Sequence, residues 1–454
     1  MSIMDFSGKH ILVIGAGISG RAASEALASH GASVILNDVK TIDTHHEPWP
    51  ELKADGIRLV FGHQEAALLD GMDLVVPSPV ISPEIPIMKE AAARHIPIWS
   101  EVEVAYRLTD AEILAVTGTN GKTTTTTLLG DIMKAAGRET VIGGNIGYGL
   151  SEQAEDLPKE DVVVAELSSF QLEFTQTMKA KAAVILNITP DHLDRHHTME
   201  AYAAAKERIF HNQDTSDYAL LNYDDARIKA MEPDMTGTVL WFSTEQEVPA
   251  GAFAKDGRLI LRMDGCDTEI CQENELKLFG KHNVQNCLAA ALMAYVAGAP
   301  LPVIQHVLKT FKGVEHRIEP VRTINGVPYY NDSKGTNTDA SIKALEAFSG
   351  HLILIAGGHD KMTPLDDFMN LAAKKVDTMI LIGDAADRFE KAAEKAGVKD
   401  IRKAGYSMER AIMMARKIAA PPQVVLLSPA CSSYDMYDNY EQRGRVFKGI
   451  VNAI

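Results

Sequence analysis

Short runs rich in β-branched residues alternate with Ala-rich stretches along nearly the whole chain, and this alternation constrains the fold more than any other feature. The runs are 10–14 (HILVI), 33–37 (SVILN), 73–76 (DLVV), 112–116 (EILAV), 161–165 (DVVVA), 183–187 (AVILN), 351–355 (HLILI), 378–382 (TMILI) and 423–427 (QVVLL). Between many of them lie segments with helical spacing, such as 21–30 and 123–136. Alternation of this kind predicts an α/β fold of parallel sheets covered by helices.

A chain of 454 residues corresponds to about three domains at roughly 150 residues each. Residues 1–100 form a first block that ends near the Pro-rich stretch Pro77 to Pro97. Residues 101–313 form a second, which opens with its own strand, glycine loop and helix. Residues 314–454 form a third, begun by a hairpin-like segment around the turn signal Asn325-Gly326.

Lys and Arg number 45 against 61 Asp and Glu, a formal charge of −16. Such a surface repels phosphodiester backbones and anionic lipid, so neither nucleic acid nor membrane is expected as a partner. It leaves room for a small anion in a local pocket. Cys266, Cys271, Cys287 and Cys431 contain no CxxC pair, which fits a reducing compartment. With no apolar run of ~18–20 residues and no basic, apolar leader, a cytoplasmic soluble protein is expected; the expected oligomeric state, which these features do not set, is a monomer.

The first glycine loop, Gly15-Ala16-Gly17-Ile18-Ser19-Gly20, follows a strand and opens a helix, and Asp38 ends the next strand. Amides at a helix N-terminus can receive a diphosphate while the acid meets a ribose. Read alone, the pattern fits tight packing, a nicotinamide or flavin cofactor, or another nucleotide diphosphate.

The second loop, Val116-Thr117-Gly118-Thr119-Asn120-Gly121-Lys122-Thr123, has Val116 where a P-loop begins with glycine, but its Gly-Lys-Thr end is intact. Amides from Gly118 to Thr123 can cradle phosphates, Lys122 can reach the β/γ oxygens, and the Thr123 hydroxyl can hold Mg²⁺. ATP is therefore expected here. Glu166 directly follows the run 161–165, where a metal-binding carboxylate belongs. His192 lies in Thr189-Pro190-Asp191-His192-Leu193-Asp194-Arg195-His196, just past the next strand. Without cysteine partners, His192, His196 and His197 make a poor zinc set.

In the helical segment 199–210, Met199, Tyr202, Ile209 and Phe210 form an apolar stripe with Lys206 in its middle. A lysine there must snorkel, pair with an acid or be chemically altered. Its pKa is expected below the usual ~10.4, because burial disfavours the ammonium. In the third block, Gly313-Val314-Glu315-His316-Arg317 and Asn331-Asp332-Ser333-Lys334-Gly335-Thr336-Asn337 precede two further turns, Gly357-Gly358-His359-Asp360-Lys361 and Ser428-Pro429-Ala430-Cys431-Ser432-Ser433. Turns at strand C-termini are where a second small substrate is expected.

These motifs together resemble the Mur ligases of peptidoglycan synthesis. The likeness runs over essentially the whole chain: the Thr-Gly-Thr-Asn-Gly-Lys-Thr loop, Glu166-Leu-Ser-Ser-Phe-Gln, Asn187-Ile-Thr-Pro-Asp-His192, Tyr202-Ala-Ala-Ala-Lys206, Gly280-Lys-His-Asn283-Val-Gln-Asn286, His316-Arg317, Asn331-Asp332-Ser333-Lys334 and Ser428-Pro-Ala-Cys431-Ser-Ser433. The resemblance implies a Rossmann-like N-terminal domain that binds the UDP-substrate, a central P-loop ATPase-type parallel sheet, and a Rossmann-like C-terminal domain that binds the amino acid. It implies ATP-dependent amide formation, in which a substrate carboxylate takes the γ-phosphoryl group and an amine then displaces phosphate. Within the family the third block looks most like the branch that adds D-glutamate to UDP-N-acetylmuramoyl-L-alanine. The Asp-Asn-Pro-Arg signature usual in the diamino-acid branch is absent from the sequence.

Carried over by motif, Lys122, His192 and Lys206 are the implied catalytic set, with Lys206 a carbamate. Gly118, Thr119, Asn120, Gly121, Lys122, Thr123, Thr124, Asn283, Asn286, Arg317 and Asp332 are implied ATP contacts. Two Mg²⁺ ions are expected, one at Thr123 and Glu166 and one at His192 and Lys206. Gly15, Gly17, Ile18, Ser19, Asp38, Ser78, Asn145 and His192 are implied around the UDP-substrate, and Lys334, Thr336, Lys361, Ser433 and Tyr440 around D-glutamate. On this reading the first glycine loop receives UDP, and no nicotinamide or flavin is expected. The sequence departs from the family at Val80, where glycine is common, at Val39-Lys40 for Thr-Arg, and at Tyr440 for phenylalanine.

A folylpolyglutamate synthetase-like ligase shares the central ATPase block, but such ligases generally begin at that block, whereas here a ~100-residue dinucleotide-type segment precedes it. A regulatory nucleotide-binding protein is the third alternative, and the joint presence of Lys122, Glu166, His192 and Lys206 argues against it.

Overall fold

The computed structural model describes residues 3–45, 48–146, 149–278, 280–360 and 364–454. The chain divides into two compact units, Met1–Leu276 with Asn283–Phe311 and Lys277–His282 with Lys312–Ile454. The first unit carries two sheets and the second carries one.

The first sheet runs Arg58–Phe61, Ser33–Asp38, His10–Ile14, Leu74–Pro77, all parallel. Its chain winds outward in one direction and then crosses to the other side for the fourth strand. The carboxyl ends of His10–Ile14 and Leu74–Pro77 therefore flank a topological switch point, where open α/β sheets bind ligands.

The second sheet has nine strands in the order Cys266–Gln272, Arg258–Met263, Gly251–Lys255, Thr238–Ser243, Tyr218–Asn222, Ala182–Ile185, Glu112–Thr117, Val162–Glu166, Thr140–Gly144. The seven from Gly251–Lys255 to Thr140–Gly144 are mutually parallel. Val162, Val163, Val164 and Ala165 are all fully buried, so this strand has core on both faces and no alternation. The helix Lys122–Ala135 starts straight from the loop after Glu112–Thr117. Here too the neighbouring strands Val162–Glu166 and Ala182–Ile185 flank a switch point.

The two strands beyond Gly251–Lys255 are antiparallel, which the strand–helix alternation does not foreshadow. Their signal is local. Asp256-Gly257 and Asp264-Gly265 all have positive φ, the conformation of a two-residue hairpin turn. The third sheet runs Glu319–Ile324, Val327–Asn331, Val424–Leu427, Leu352–Gly357, Val376–Ile382, Ile401–Gly405, with only its first pair antiparallel. Its switch point lies between Val424–Leu427 and Leu352–Gly357.

The expected segment 199–210 is a helix only over Met199–Glu207, followed by a tighter turn at Arg208–Phe210. Its stripe is otherwise as expected, with Tyr202, Lys206, Ile209 and Phe210 buried.

Candidate functional site

At the first switch point, Gly15 has φ +98 and the helix Ile18–Ser29 follows, with Gly17 at its N-cap. Gly20 permits the turn: a Cβ there would lie 1.8 Å from the Gly15 carbonyl oxygen. The backbone N–H of Ala16 donates to Asp38 Oδ2 at 2.9 Å, and that of Lys40 to Asp38 Oδ1 at 2.9 Å. Ser78 is buried and its hydroxyl donates to the Gly15 carbonyl at 3.0 Å. Asp38 and Ser78 thus shape the loop, while Gly17 and Ile18 stand exposed at the helix start and Ser19 is half-buried. Val39 and Val80 are exposed on the same strand ends.

At the second switch point the P-loop is held from the next strand's end. Thr119 N–H donates to the Asn187 carbonyl at 2.9 Å, Asn120 N–H to Asn187 Oδ1 at 2.9 Å, and Asn187 Nδ2 to the Asn120 carbonyl at 3.1 Å. The sequence motif alone assigns Asn187 no role, and in the structure it anchors the loop by imitating a strand pairing. Gly121 has φ +85, and a Cβ there would lie 2.3 Å from Asn286 Oδ1. Asn286 in turn donates to Asn283 Oδ1 at 3.2 Å. Thr123 and Thr124 lie in the first turn of the following helix.

Lys122 Nζ folds back onto the carbonyls of Gly118 and Thr119, at 2.9 Å each. Lys206 Nζ donates to the same Gly118 carbonyl at 2.9 Å. Two lysine nitrogens therefore converge on one carbonyl at the centre of the loop. Lys206 is 2% exposed, and its amine lies 4.7 Å from the centre of the Tyr202 ring. Burial pushes its pKa well below that of an ordinary lysine; the Lys122 charge adds to this, and Asp191 and Glu166 oppose it. The Tyr202 hydroxyl lies 3.2 Å from Thr119 Oγ1, tying the lysine's helix to the P-loop.

Glu166 sits beside the P-loop strand in register with Val116. Asn145 Nδ2 donates to its Oε1 at 2.9 Å, while its Oε2 is buried with no hydrogen-bond partner among the described residues. A buried carboxylate oxygen without a donor, facing a phosphate loop, fits a cation ligand. His192 stands at the N-cap of the turn Leu193–His196 with φ 52, half exposed, its ring 4.8 Å from that of Phe170. Among the described residues, the groups of three His, Cys, Asp or Glu whose ligand atoms lie within 4.8 Å of one another are His30–Glu155–Asp156 and Glu315–His316–Glu319, and neither includes Glu166 or His192. Mg²⁺ keeps waters and phosphate oxygens in its shell, so convergence of protein ligands is not required.

In the second unit, Arg317 donates to Asp332 at 3.3 Å, and the Ser428 hydroxyl donates to the other Asp332 oxygen at 2.8 Å. Burial raises the Asp332 carboxyl pKa, while Arg317 and these donors hold it down. Lys334 Nζ lies 3.3 Å from the Tyr440 hydroxyl, and Tyr440 begins a helix capped by Asn439. Ser433 is buried and Thr336 half-buried. Lys361 lies outside the described residues.

Arg443 carries no sequence assignment, yet it organises this edge. The side chain is 1% exposed and donates to Ser333 Oγ at 2.9 Å, the Ser333 carbonyl at 2.8 Å, and the Cys431 and Ser432 carbonyls at 3.1 Å. The His359–Ser432 bridge adds the third turn. Burial brings the Arg443 pKa down to about 10. Its signal was helical spacing: Arg443, Phe447 and Val451 recur every four residues on a buried face.

Family models match three stretches: the MurD-like N-terminal domain of the Mur ligases over 9–100, the Mur ligase middle domain over 116–294, and the Mur ligase glutamate ligase domain over 316–431. The UDP-N-acetylmuramoylalanine–D-glutamate ligase of Thermoanaerobacter sp. (strain X514) is 45% identical over 450 residues, covering 99% of each chain. The protein of that name from Desulfitobacterium hafniense (strain Y51) is 44% identical, covering 99% of this chain and 98% of its own. The fold is shared with the UDP-N-acetylmuramate-alanine ligase of Thermotoga maritima, at TM-score 0.61 and 20% identity over 98% of this chain and 99% of that one. It is shared also with a pseudomurein peptide ligase type C of Methanothermus fervidus, at TM-score 0.60 and 18% identity over 98% and 100%.

Proposed function

The chain belongs to the Mur ligase family, and on that premise we propose that it joins D-glutamate to UDP-N-acetylmuramoyl-L-alanine at the expense of ATP. The observation that carries the reading is the convergence of Lys122 and Lys206 on the Gly118 carbonyl, beside the unpartnered oxygen of Glu166. The first sheet and its match over 9–100 favour this reading over a folate-type ligase.

In this reading residues 1–100 bind the UDP-substrate, 101–313 bind ATP, and 314–454 bind the amino acid. Gly15, Gly17, Ile18 and Ser19 offer amides to the diphosphate at a helix N-terminus, with Asp38 and Ser78 fixing the loop. Asn145 and His192 meet the muramoyl end. Gly118 to Thr124 cradle the ATP phosphates, and Asn283, Asn286, Arg317 and Asp332 are the further ATP contacts. Lys122 leaves the Gly118 and Thr119 carbonyls to meet the γ-phosphate, where charge grows as the phosphoryl group moves.

The substrate carboxylate oxygen attacks the γ-phosphorus as the bond to ADP breaks, giving an acyl phosphate. The D-glutamate amine attacks the acyl carbon, and the tetrahedral adduct expels phosphate as nitrogen loses a proton. Lys334, Thr336, Lys361, Ser433 and Tyr440 orient the acceptor. Thr123, Glu166, His192 and Lys206 would hold two Mg²⁺ ions, which when bound neutralise phosphate charge. A carbamate on Lys206 turns a cation that repels the metal into an anion that ligates it, and the neutral amine favoured by burial is the form that reacts with CO₂.

Hydroxylamine trapping tests the first half-reaction. With ATP and UDP-N-acetylmuramoyl-L-alanine but no amino acid, a hydroxamate of the UDP-substrate is expected. Its absence, while phosphate is still released from ATP, would contradict an acyl phosphate.

A further inference from the structure

Arg195 lies three residues after His192 and belongs to none of the ATP, UDP-substrate or D-glutamate residue sets. Its side chain is 10% exposed and makes three contacts. Nη1 donates to the Pro79 carbonyl at 3.0 Å, Nη2 pairs with Glu173, and the guanidinium lies 4.4 Å from the centre of the Phe170 ring. Arg195 N–H also donates to the His192 carbonyl at 3.1 Å within the turn Leu193–His196.

Pro79 belongs to the lip of the first switch point. Its neighbour Ser78 donates through its backbone N–H to the Ile14 carbonyl at 2.7 Å and through its hydroxyl to the Gly15 carbonyl at 3.0 Å. A continuous chain of contacts therefore runs from the glycine loop through Ser78, Pro79 and Arg195 to His192. The planar guanidinium suits this post, because its fork serves two acceptors in fixed directions while its face stacks on a ring.

We infer that Arg195 is a positioning residue that sets the distance between the diphosphate subsite at Gly15–Gly20 and the reacting-carboxylate subsite at His192. The inference rests on the ligase reading above. Arg195 itself need touch neither end of the substrate; it fixes one subsite against the other, so a ligand that fills only one end does not sense it.

The test compares wild type, Arg195→Ala and Arg195→Lys by calorimetric titration with UDP, with UDP-N-acetylmuramoyl-L-alanine and with ATP, alongside kcat and thermal unfolding. For Arg195→Ala, affinity for UDP and for ATP should stay within about twofold of wild type, whereas the preference for the full substrate over UDP should fall about tenfold and kcat about 10²-fold, the scale expected for ångström misplacement. Arg195→Lys, which keeps the charge but not the fork, should fall between them. Arg195→Ala with unchanged preference and kcat would overturn the inference. So would loss of UDP and ATP binding together with a lowered unfolding temperature, because that is local collapse. A wild-type protein that binds UDP and the full substrate equally would instead refute the ligase reading.

Discussion

Two residues show how burial decides chemistry and stability in this chain. Lys206 was legible in the sequence as a lysine on an apolar stripe, and it is 2% exposed with its amine on a backbone carbonyl. Lys206→Ala should lower turnover by about 10²-fold or more, the scale of losing one preorganised electrostatic group, while UDP-substrate binding by calorimetry stays near wild type. Acetate should restore part of the rate if the group acts as an anion. Near-normal turnover of the variant would dispose of the role. Glu103 was not legible, since nothing in the sequence marks the backbone amides of Gln176, Thr177 and Met178 that converge on its carboxylate, joined by the Thr177 hydroxyl and Arg107. Burial alone would raise its pKa, but these donors outweigh it and hold the carboxyl below the ordinary glutamate value. A depressed folded-state pKa contributes stability above the unfolded value of ~4.3 that is lost as pH falls through the folded one. Glu103→Gln should therefore cost about 2 kcal/mol at pH 7, with the gap to wild type closing as pH drops below about 4. Denaturant titrations at pH 7 and at acid pH measure it, and a pH-independent gap would contradict the ionic account.

At the scale of elements, the parallel strands were readable because core on both faces leaves uninterrupted apolar runs, and the glycine loops because backbone must approach backbone there. Gly20→Ala places a Cβ 1.8 Å from the Gly15 carbonyl, which should destabilise the first sheet by about 3 kcal/mol and abolish UDP binding, as read by thermal unfolding and calorimetry. The antiparallel ribbon 251–272 escaped because its signal is two Asp-Gly turns rather than strand–helix alternation. The edge strand Thr140–Gly144 escaped because its two glycines imitate a loop. Arg443 escaped because a charged residue on a helix reads as solvated, whereas here it ties the Ser333 turn to the Cys431 turn. Arg443→Lys keeps the charge and loses the fork, so KM for the amino acid should rise about tenfold while KM for ATP holds. Parallel increases in both would instead mark general loosening.

Across the whole molecule each of the three sheets carries a motif at the point where its strand order reverses: Gly15–Gly20 in the first, Gly118–Thr123 in the second, and the turns after Leu352–Gly357 and Val424–Leu427 in the third. The net charge of −16 makes those edges distinctive, because Lys122 at the second and Lys334 in the third sheet's unit are cations on an acidic chain. Sequence order alone could not show that Asp38 and Ser78 act on the glycine loop itself, nor that Pro79 meets Arg195, because these contacts join residues remote in the chain. The identity of the acceptor is the central claim, and it is tested most directly by phosphate release with ATP, UDP-N-acetylmuramoyl-L-alanine and each of D-glutamate, L-glutamate, L-alanine and a diamino acid. Release that requires all three substrates and is fastest with D-glutamate, with ligated product of the matching mass, is the predicted result. Faster turnover with L-alanine or a diamino acid would contradict it.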